Sequence, residues 1–375
     1  MRGIYIHIPF CKRKCYYCDF ISFSNRCDSI VSYIEAVKKE IINTLKNDEE
    51  IDTIYIGGGT PSFIDSTYIK ELLDTIYSKV GRDESREVTI EINPGTITEQ
   101  KLLDYKRSGI NRISIGLQTH NDILLKKIGR IHTYTEFLKA YNMVEKAGFK
   151  NINVDLMLGL PTQTMKDLEQ TIENVSNLNP NHISVYSLIL EEGTKLEELV
   201  NKSKLQLPSE ECEREMYWYV KNKLEKLGYT HYEISNFAKK GYESKHNSNC
   251  WKQHEYYGFG IAAHSYIDSV RYSNTESLEK YIQNINDNRF KNNIIINEEQ
   301  NEEDKMKEYM MLNLRTIEGV SITNFKAKFS NNPLYIFRKE IEKLTNLSLL
   351  EVDCDNIRLT NKGLDFANEV WQEFI

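Results

Sequence analysis

Short apolar runs rich in Ile and Val recur at residues 4–8, 53–56, 88–92, 112–117, 152–158 and 183–189, and between them the apolar spacing changes to a helical period. Runs of this kind suit strands covered on both faces, which is the habit of parallel sheets. Strand–helix units in series join through right-handed crossovers. The resulting sheet curls toward a barrel, with the functional site expected at the C-terminal ends of its strands. The expected fold class is therefore α/β, a partial (β/α)6 barrel occupying residues 1–205.

The intervening helices carry their own punctuation. Residues 30–45 place Ile34, Val37, Ile41 and Ile42 on one stripe, and residues 68–80 form the next helix. Thr98 is the expected N-cap of a third helix and Gly109 its terminator. Residues 135–147 stop at Gly148, and residues 165–178 stop before Pro180.

Beyond about residue 205 the rhythm breaks. Residues 210–227 read as a helix ended by Gly228, and residues 229–272 as a loop-rich aromatic stretch. The acidic segment 297–304 reads as a linker or helix start. From there the pattern is three helices and then two short strands around residues 352–359, a small winged-helix-like module. The expected division is thus 1–205, a connecting region 206–296, and a C-terminal domain 297–375.

Composition limits the function classes. The net charge is −7, with no long basic run to match a phosphate backbone, so no nucleic-acid partner is expected. The small basic group Lys326, Lys328, Arg338 and Lys343 does not change that balance. No run approaches the ~20 apolar residues of a membrane span, and the N-terminus lacks the apolar core of a signal peptide. The expected location is cytoplasmic.

Three of the seven cysteines fall within eight positions, in Cys11-Lys12-Arg13-Lys14-Cys15-Tyr16-Tyr17-Cys18, directly after the first strand. The other four are scattered, which is not a disulfide framework. Three thiolates spaced C-x3-C-x2-C can reach three corners of an iron–sulfur cube and leave the fourth iron open. A zinc site would need a fourth ligand, with His7 recruited from the strand. A redox pair at Cys15 and Cys18 would leave Cys11 without a role. A second motif, Gly57-Gly58-Gly59-Thr60-Pro61, follows the second strand on the same rim, where glycine lets backbone approach a ligand closely.

The cysteine spacing and the glycine run resemble the radical S-adenosylmethionine (SAM) superfamily. There SAM chelates the open iron of a [4Fe–4S] cluster, and reduction yields a 5′-deoxyadenosyl radical. Tyr5–Cys11, Gly57–Pro61, Glu91-Ile92-Asn93-Pro94, Gly116-Leu117-Gln118 and Asp155–Pro161 together resemble the family of oxygen-independent coproporphyrinogen III oxidase and its heme-chaperone relatives. The resemblance spans nearly the whole chain. It implies that Cys11, Cys15 and Cys18 hold the cluster and that Tyr5 and Tyr17 flank SAM. Gly58, Gly59 and Thr60 would face the methionine part of SAM, and Glu91, Gln118, Arg130 and Asp155 would hold the rest. Those types suit it: carboxylates accept from amino and ribose groups, and arginine pairs with a carboxylate.

Two departures separate the branches. The oxidases place a further cysteine one residue after the third, where this chain has Phe20. They also carry an N-terminal extension, whereas the first strand here begins at Ile4. A third feature, Lys245-His246-Asn247-Ser248-Asn249-Cys250-Trp251, is similar to the chaperones' HNxxYW motif, with Cys250 in place of Tyr. The resemblance implies heme binding at His246. A thiolate is also a known heme ligand, which brings Cys250 into consideration. His264 is a second candidate, read as a packed core histidine. His120, His132, His182, His231 and His254 stand in no comparable motif.

The expected function is a heme chaperone that passes heme to acceptor hemoproteins, some of them respiratory and membrane-associated. An electron donor would serve the cluster. The alternatives are radical decarboxylation of porphyrinogen propionates and a scaffold that binds neither SAM nor heme.

Overall fold

A computed structural model describes residues 2–375. Six parallel strands run through the first half: β1 (Arg2–Ile8), β2 (Thr53–Gly58), β3 (Glu87–Ile92), β4 (Arg112–Gln118), β5 (Asn151–Leu158) and β6 (His182–Ser187). They lie side by side in sequence order. Their connections are α1 (Ile30–Thr44), α2 (Ser66–Val80), α3 (Glu99–Arg107), α4 (Asp122–Lys127), α5 (Tyr134–Lys146) and α6 (Met165–Asn177). Helix-facing Ile, Val and Leu of the strands meet the helix stripes in one large core. The caps fall where the sequence puts them. Thr98 accepts from the Lys101 amide, and Gly109 adopts φ +96° just past α3. Thr133 and Thr164 form capping boxes with Glu136 and Asp167.

Ile42 is not on the buried stripe of α1; it is 52% exposed. It lies five residues past Val37, about 140° round the helix. Tyr33 and Glu40 take the inner face instead. Glu40 accepts from Tyr281 Oη (2.6 Å), Asn274 Nδ2 (2.7 Å) and the Gly260 amide (2.9 Å), so its burial is satisfied by elements later in the chain.

The stretch 229–272 is not loop-rich. It forms β7 (Thr230–Glu233), β8 (Asn236–Ala238), β9 (Glu255–Phe259), β10 (His264–Ile267) and β11 (Val270–Asn274), and β12 (Ile294–Glu299) follows. These strands extend both edges of the parallel run into one twelve-stranded sheet, ordered β12-β11-β10-β9-β1-β2-β3-β4-β5-β6-β8-β7. Their lengths of three to six residues are too short to show a period in sequence. The acidic segment splits between the end of β12 and a helix, Glu302–Asn313, capped by Asn301.

Beyond α6 run α7 (Lys195–Asn201) and α8 (Glu210–Lys226), and a short helix, α9 (Lys245–Trp251), crosses to the N-terminal ends of β1 and β2. At the opposite rim the seam between β1 and β6 is closed. The Leu196 amide donates to the Tyr16 carbonyl (2.8 Å), and Tyr16 and Tyr17 pack with Leu188, Leu190 and Leu196. A second hydrophobic core is built from residues 306–374, around the antiparallel strands Leu350–Val352 and Asn356–Leu359.

Candidate active site in the barrel

The cysteine loop is closed at its neck. The Cys11 amide donates to the Phe23 carbonyl (2.9 Å) and the Phe23 amide to the Pro9 carbonyl (2.7 Å). Within the loop, the Tyr16 amide bonds the Ile128 carbonyl (3.0 Å), which ties it to the chain after β4. Cys11 is buried, Cys15 and Cys18 are half-buried, and all three thiols are free. They line one cavity of about 450 Å³ at the C-terminal ends of the strands.

The glycine run sits against this loop. Gly58 has φ +106°, and a Cβ there would lie 2.5 Å from His7 Nδ1. A Cβ on Gly59 would lie 2.9 Å from the Ile8 carbonyl oxygen and 3.0 Å from Cys11 Sγ. Neither position tolerates a side chain without displacing the rim. Thr60 Oγ1 donates to Cys11 Sγ (3.4 Å) and accepts from Asn93 Nδ2 (3.0 Å).

The inner wall is polar. Glu91 accepts from Tyr55 Oη (2.8 Å) and from the Gly58 amide (3.2 Å). Asp155 accepts from Ser114 Oγ (2.8 Å) and Asn153 Nδ2 (2.7 Å). Burial raises both carboxyls, Glu91 to about 7. Arg130 donates to Asn93 Oδ1 (2.6 Å), to the Gly116 carbonyl and to Cys15 Sγ (3.6 Å), and its Nε is buried without a partner. A Cβ on Gly116 would meet Asn93, Arg130 and Gln118 within 3.2 Å. This side of the cavity is thus a cradle of polar groups with a spare guanidinium donor, suited to an amino-acid carboxylate and hydroxyls.

Burial pushes the Cys11 and Cys18 thiols up, Cys18 to about 11. Thiols so placed need a bound cation to ionise. Among the described residues no group of three His, Cys, Asp or Glu is arranged around a single ion. Three free thiols lining one cavity suit a four-iron cube, which takes one thiolate per iron.

Cys11, Cys15, Cys18, Tyr17, Gly58, Gly59, Thr60, Glu91, Gln118, Arg130 and Asp155 therefore share one cavity. Tyr5 does not line it: its hydroxyl lies 3.0 Å from His7 Nδ1 and its ring stacks on Tyr55. Tyr55 and Tyr186 line the cavity and were not anticipated, although Tyr55 alternates with the core residues Ile54 and Ile56 and so must face inward. Asn93 lay within a recognised motif but had no assigned role.

His246 lies at the other end of the strands. Its Nδ1 is 2.9 Å from Thr53 Oγ1, and its amide donates to Glu87 Oε1 (3.1 Å), both on the first residues of their strands. The residue is only 8% exposed, and burial beside Arg112 lowers its pKa to about 4. About 16 Å of strand separates it from the cysteine rim. Cys250 is held as a thiol, raised by burial to about 11. His264 is exposed rather than packed: it is the first residue of β10, and the next two, Ser265 and Tyr266, are the buried ones. Trp251 of the same motif faces the Arg315 guanidinium, which lies 4.6 Å from its ring and 4.4 Å from Trp371.

Comparison with known proteins agrees with this geometry. Residues 5–175 match the Radical SAM superfamily, and residues 300–366 match the HemN C-terminal domain. The chain is 39% identical to the heme chaperone HemW of Bacillus subtilis (strain 168), covering all of this chain and 99% of that one. The chain belongs to the HemW family of radical SAM proteins. The heme chaperone HemW of Lactococcus lactis is 38% identical across 99% of this chain and 96% of its own length. The structure of coproporphyrinogen III oxidase (HemN) from Escherichia coli superposes with a TM-score of 0.85 at 22% identity, covering 100% of this chain and 90% of that one. That likeness is one of fold. Radical SAM membership implies SAM and a [4Fe–4S] cluster for a HemW-family protein.

Proposed function

We propose that this protein is a heme chaperone, binding heme and passing it to acceptor hemoproteins, with a [4Fe–4S] cluster and SAM in the barrel cavity. The observation that carries the reading is the end-to-end match to the HemW of Bacillus subtilis at 39% identity. Phe20 supports it, standing where the oxidases carry a further cysteine.

In this reading Cys11, Cys15 and Cys18 hold three irons. Glu91, Gln118, Arg130 and Asp155, with Gly58, Gly59 and Thr60, hold SAM, and Tyr17 closes one side. A reduced cluster of this kind supplies one electron to the molecule on its open iron. The chain's own residues set the conditions. Arg130 orients a carboxylate, Thr60 fixes Cys11, and Glu91, held by Tyr55 Oη and the Gly58 amide, keeps an acceptor in the cavity wall. His246, as placed here, holds α9 against the strands. To meet a heme iron it would have to leave Thr53 and Tyr55.

No helix among the described residues is long and apolar enough to cross a membrane. We place the protein in the cytoplasm, delivering heme to acceptors that include membrane-associated respiratory proteins. An anaerobic heme titration of the cluster-reconstituted protein tests the reading. Saturable binding at about one heme per chain supports it. Absence of saturable binding contradicts it.

A further inference from the structure

The floor of the barrel, at the N-terminal ends of the strands, holds a cation that the SAM cavity does not use. Side chains alternate along each strand. Ile113, Ile115 and Leu117 of β4 face the helices, so Arg112 and Ser114 face the barrel interior. By the same alternation Thr89 of β3 and Asn151 of β5 face it too. The sheet register sets these three side by side, Thr89 opposite Arg112 and Arg112 opposite Asn151.

All three carry an orphaned polar atom. Arg112 Nε, Thr89 Oγ1 and Asn151 Oδ1 are each buried without a hydrogen-bond partner. Arg112 is only 2% exposed. The carboxylates of the interior are engaged elsewhere: Glu87 by the Lys245 and His246 amides (both 3.1 Å), Glu91 by Tyr55 and Gly58, Asp155 by Ser114 and Asn153. Among the described residues no carboxylate forms an ion pair with Arg112. The neighbouring imidazoles, His246 and His182, are held neutral by burial and by Arg112 itself, which leaves the charge of the floor on the guanidinium.

The chemistry of the row is that of donors. A guanidinium only donates, and a threonine hydroxyl can donate. Turning the Asn151 amide over brings its NH2 to the place of the orphaned oxygen. Three converging donors, one of them a buried charge, call for an acceptor that carries the opposite charge. We propose that the floor of the barrel binds a small inorganic anion of chloride size, held by Arg112, Thr89 and Asn151. The enclosure sets the size, because Thr89 and Arg112 are buried and α9 lies across the neighbouring strand ends. The anion neutralises Arg112 beneath the carboxylate wall and stabilises the folded barrel. The inference is independent of the chaperone reading.

Two measurements on the anaerobically reconstituted full-length protein test it. Crystals soaked in sodium bromide are examined at the bromine absorption edge. Thermal melting is compared in chloride and in gluconate at matched ionic strength, for wild type, Arg112→Met and Thr89→Val. The expected map has an anomalous peak in contact with Arg112 Nε and Thr89 Oγ1. The expected melting temperature of wild type is higher in chloride by roughly 3 °C, the shift that a folded-state ligand well above its Kd gives a chain of this size. Arg112→Met should lose this response, and Thr89→Val should need about tenfold more chloride for it, since it lacks one hydrogen bond to a charged group. If Arg112→Met does not fold, Thr89→Val and the bromide map decide. A map without bromide at Arg112 overturns the proposal, as does wild-type melting that is equal in the two salts. A full wild-type response in either folded variant overturns it too.

Discussion

The ring of His246 stacks on Tyr55 with centroids 5.2 Å apart, and the Tyr55 hydroxyl donates to Glu91 at 2.8 Å. One side chain thus joins the plug helix at the N-terminal end of the strands to the carboxylate wall of the cavity. A second line of hydrogen bonds runs beside it, from Asp155 through Asn153 and His182 to Tyr232, which accepts from the Ser244 amide at the start of α9. The barrel interior is a packed polar column, and its two ends are in contact through it.

Tyr55→Phe should remove a donor from a buried carboxylate. The expected cost is about 1.5 kcal/mol in urea unfolding, typical of a hydrogen bond to a charged group. The Glu91 titration should also move above about 7, because the tyrosine hydroxyl lowers it in the native protein. An unchanged unfolding midpoint would contradict the assigned bond.

His246 should make the fold acid-sensitive. Burial lowers its pKa from 6.5 to about 4, so the unfolded chain binds the proton first. Stability is then fully present above pH 6.5 and is lost as pH falls toward about 4. The contribution is about 3 kcal/mol at one pKa unit per ~1.4 kcal/mol. His246→Asn, which keeps a polar side chain at this position, should flatten the pH dependence of unfolding in that window. An equal slope in both proteins would exclude His246 as its source.

Gly59→Ala should cost the cluster rather than the fold. The added methyl would press on the Ile8 carbonyl oxygen and Cys11 Sγ. Iron content after reconstitution should drop below half of the wild-type value of about four per chain, with unchanged circular dichroism. Full iron retention would show that the loop yields without consequence.

Arg315→Ala should loosen the C-terminal module from α9. The guanidinium stands between Trp251 and Trp371, and stacking of this kind is worth about 2 kcal/mol when desolvated. The expected signs are a red shift of tryptophan emission and a lower unfolding midpoint. Arg315→Lys should restore little, since lysine lacks the flat face.

The parallel strands and their caps were legible because each is a local pattern: apolar runs, Thr98, Gly109, Gly148. The cavity residues were legible because motifs fell at the ends of those strands. The strands between Tyr229 and Asn274 were hidden, since three to five residues carry no period and are stabilised by pairing with β1 and β6. Ile42 misled because the inner face of α1 is completed by Glu40, whose partners lie more than 200 residues away. The position of His246 was equally illegible. Only the fold carries α9 to Thr53 and Glu87, at the end of the strands opposite the cysteines.

The most direct test of the chaperone account is transfer. Heme-loaded, cluster-reconstituted protein is mixed with an apo-hemoprotein, and both are separated and read by their Soret bands, beside an assay with coproporphyrinogen III, SAM and reductant. The account predicts that heme moves to the acceptor and that the porphyrinogen is not decarboxylated. Catalytic decarboxylation, with no heme bound or passed on, would contradict it.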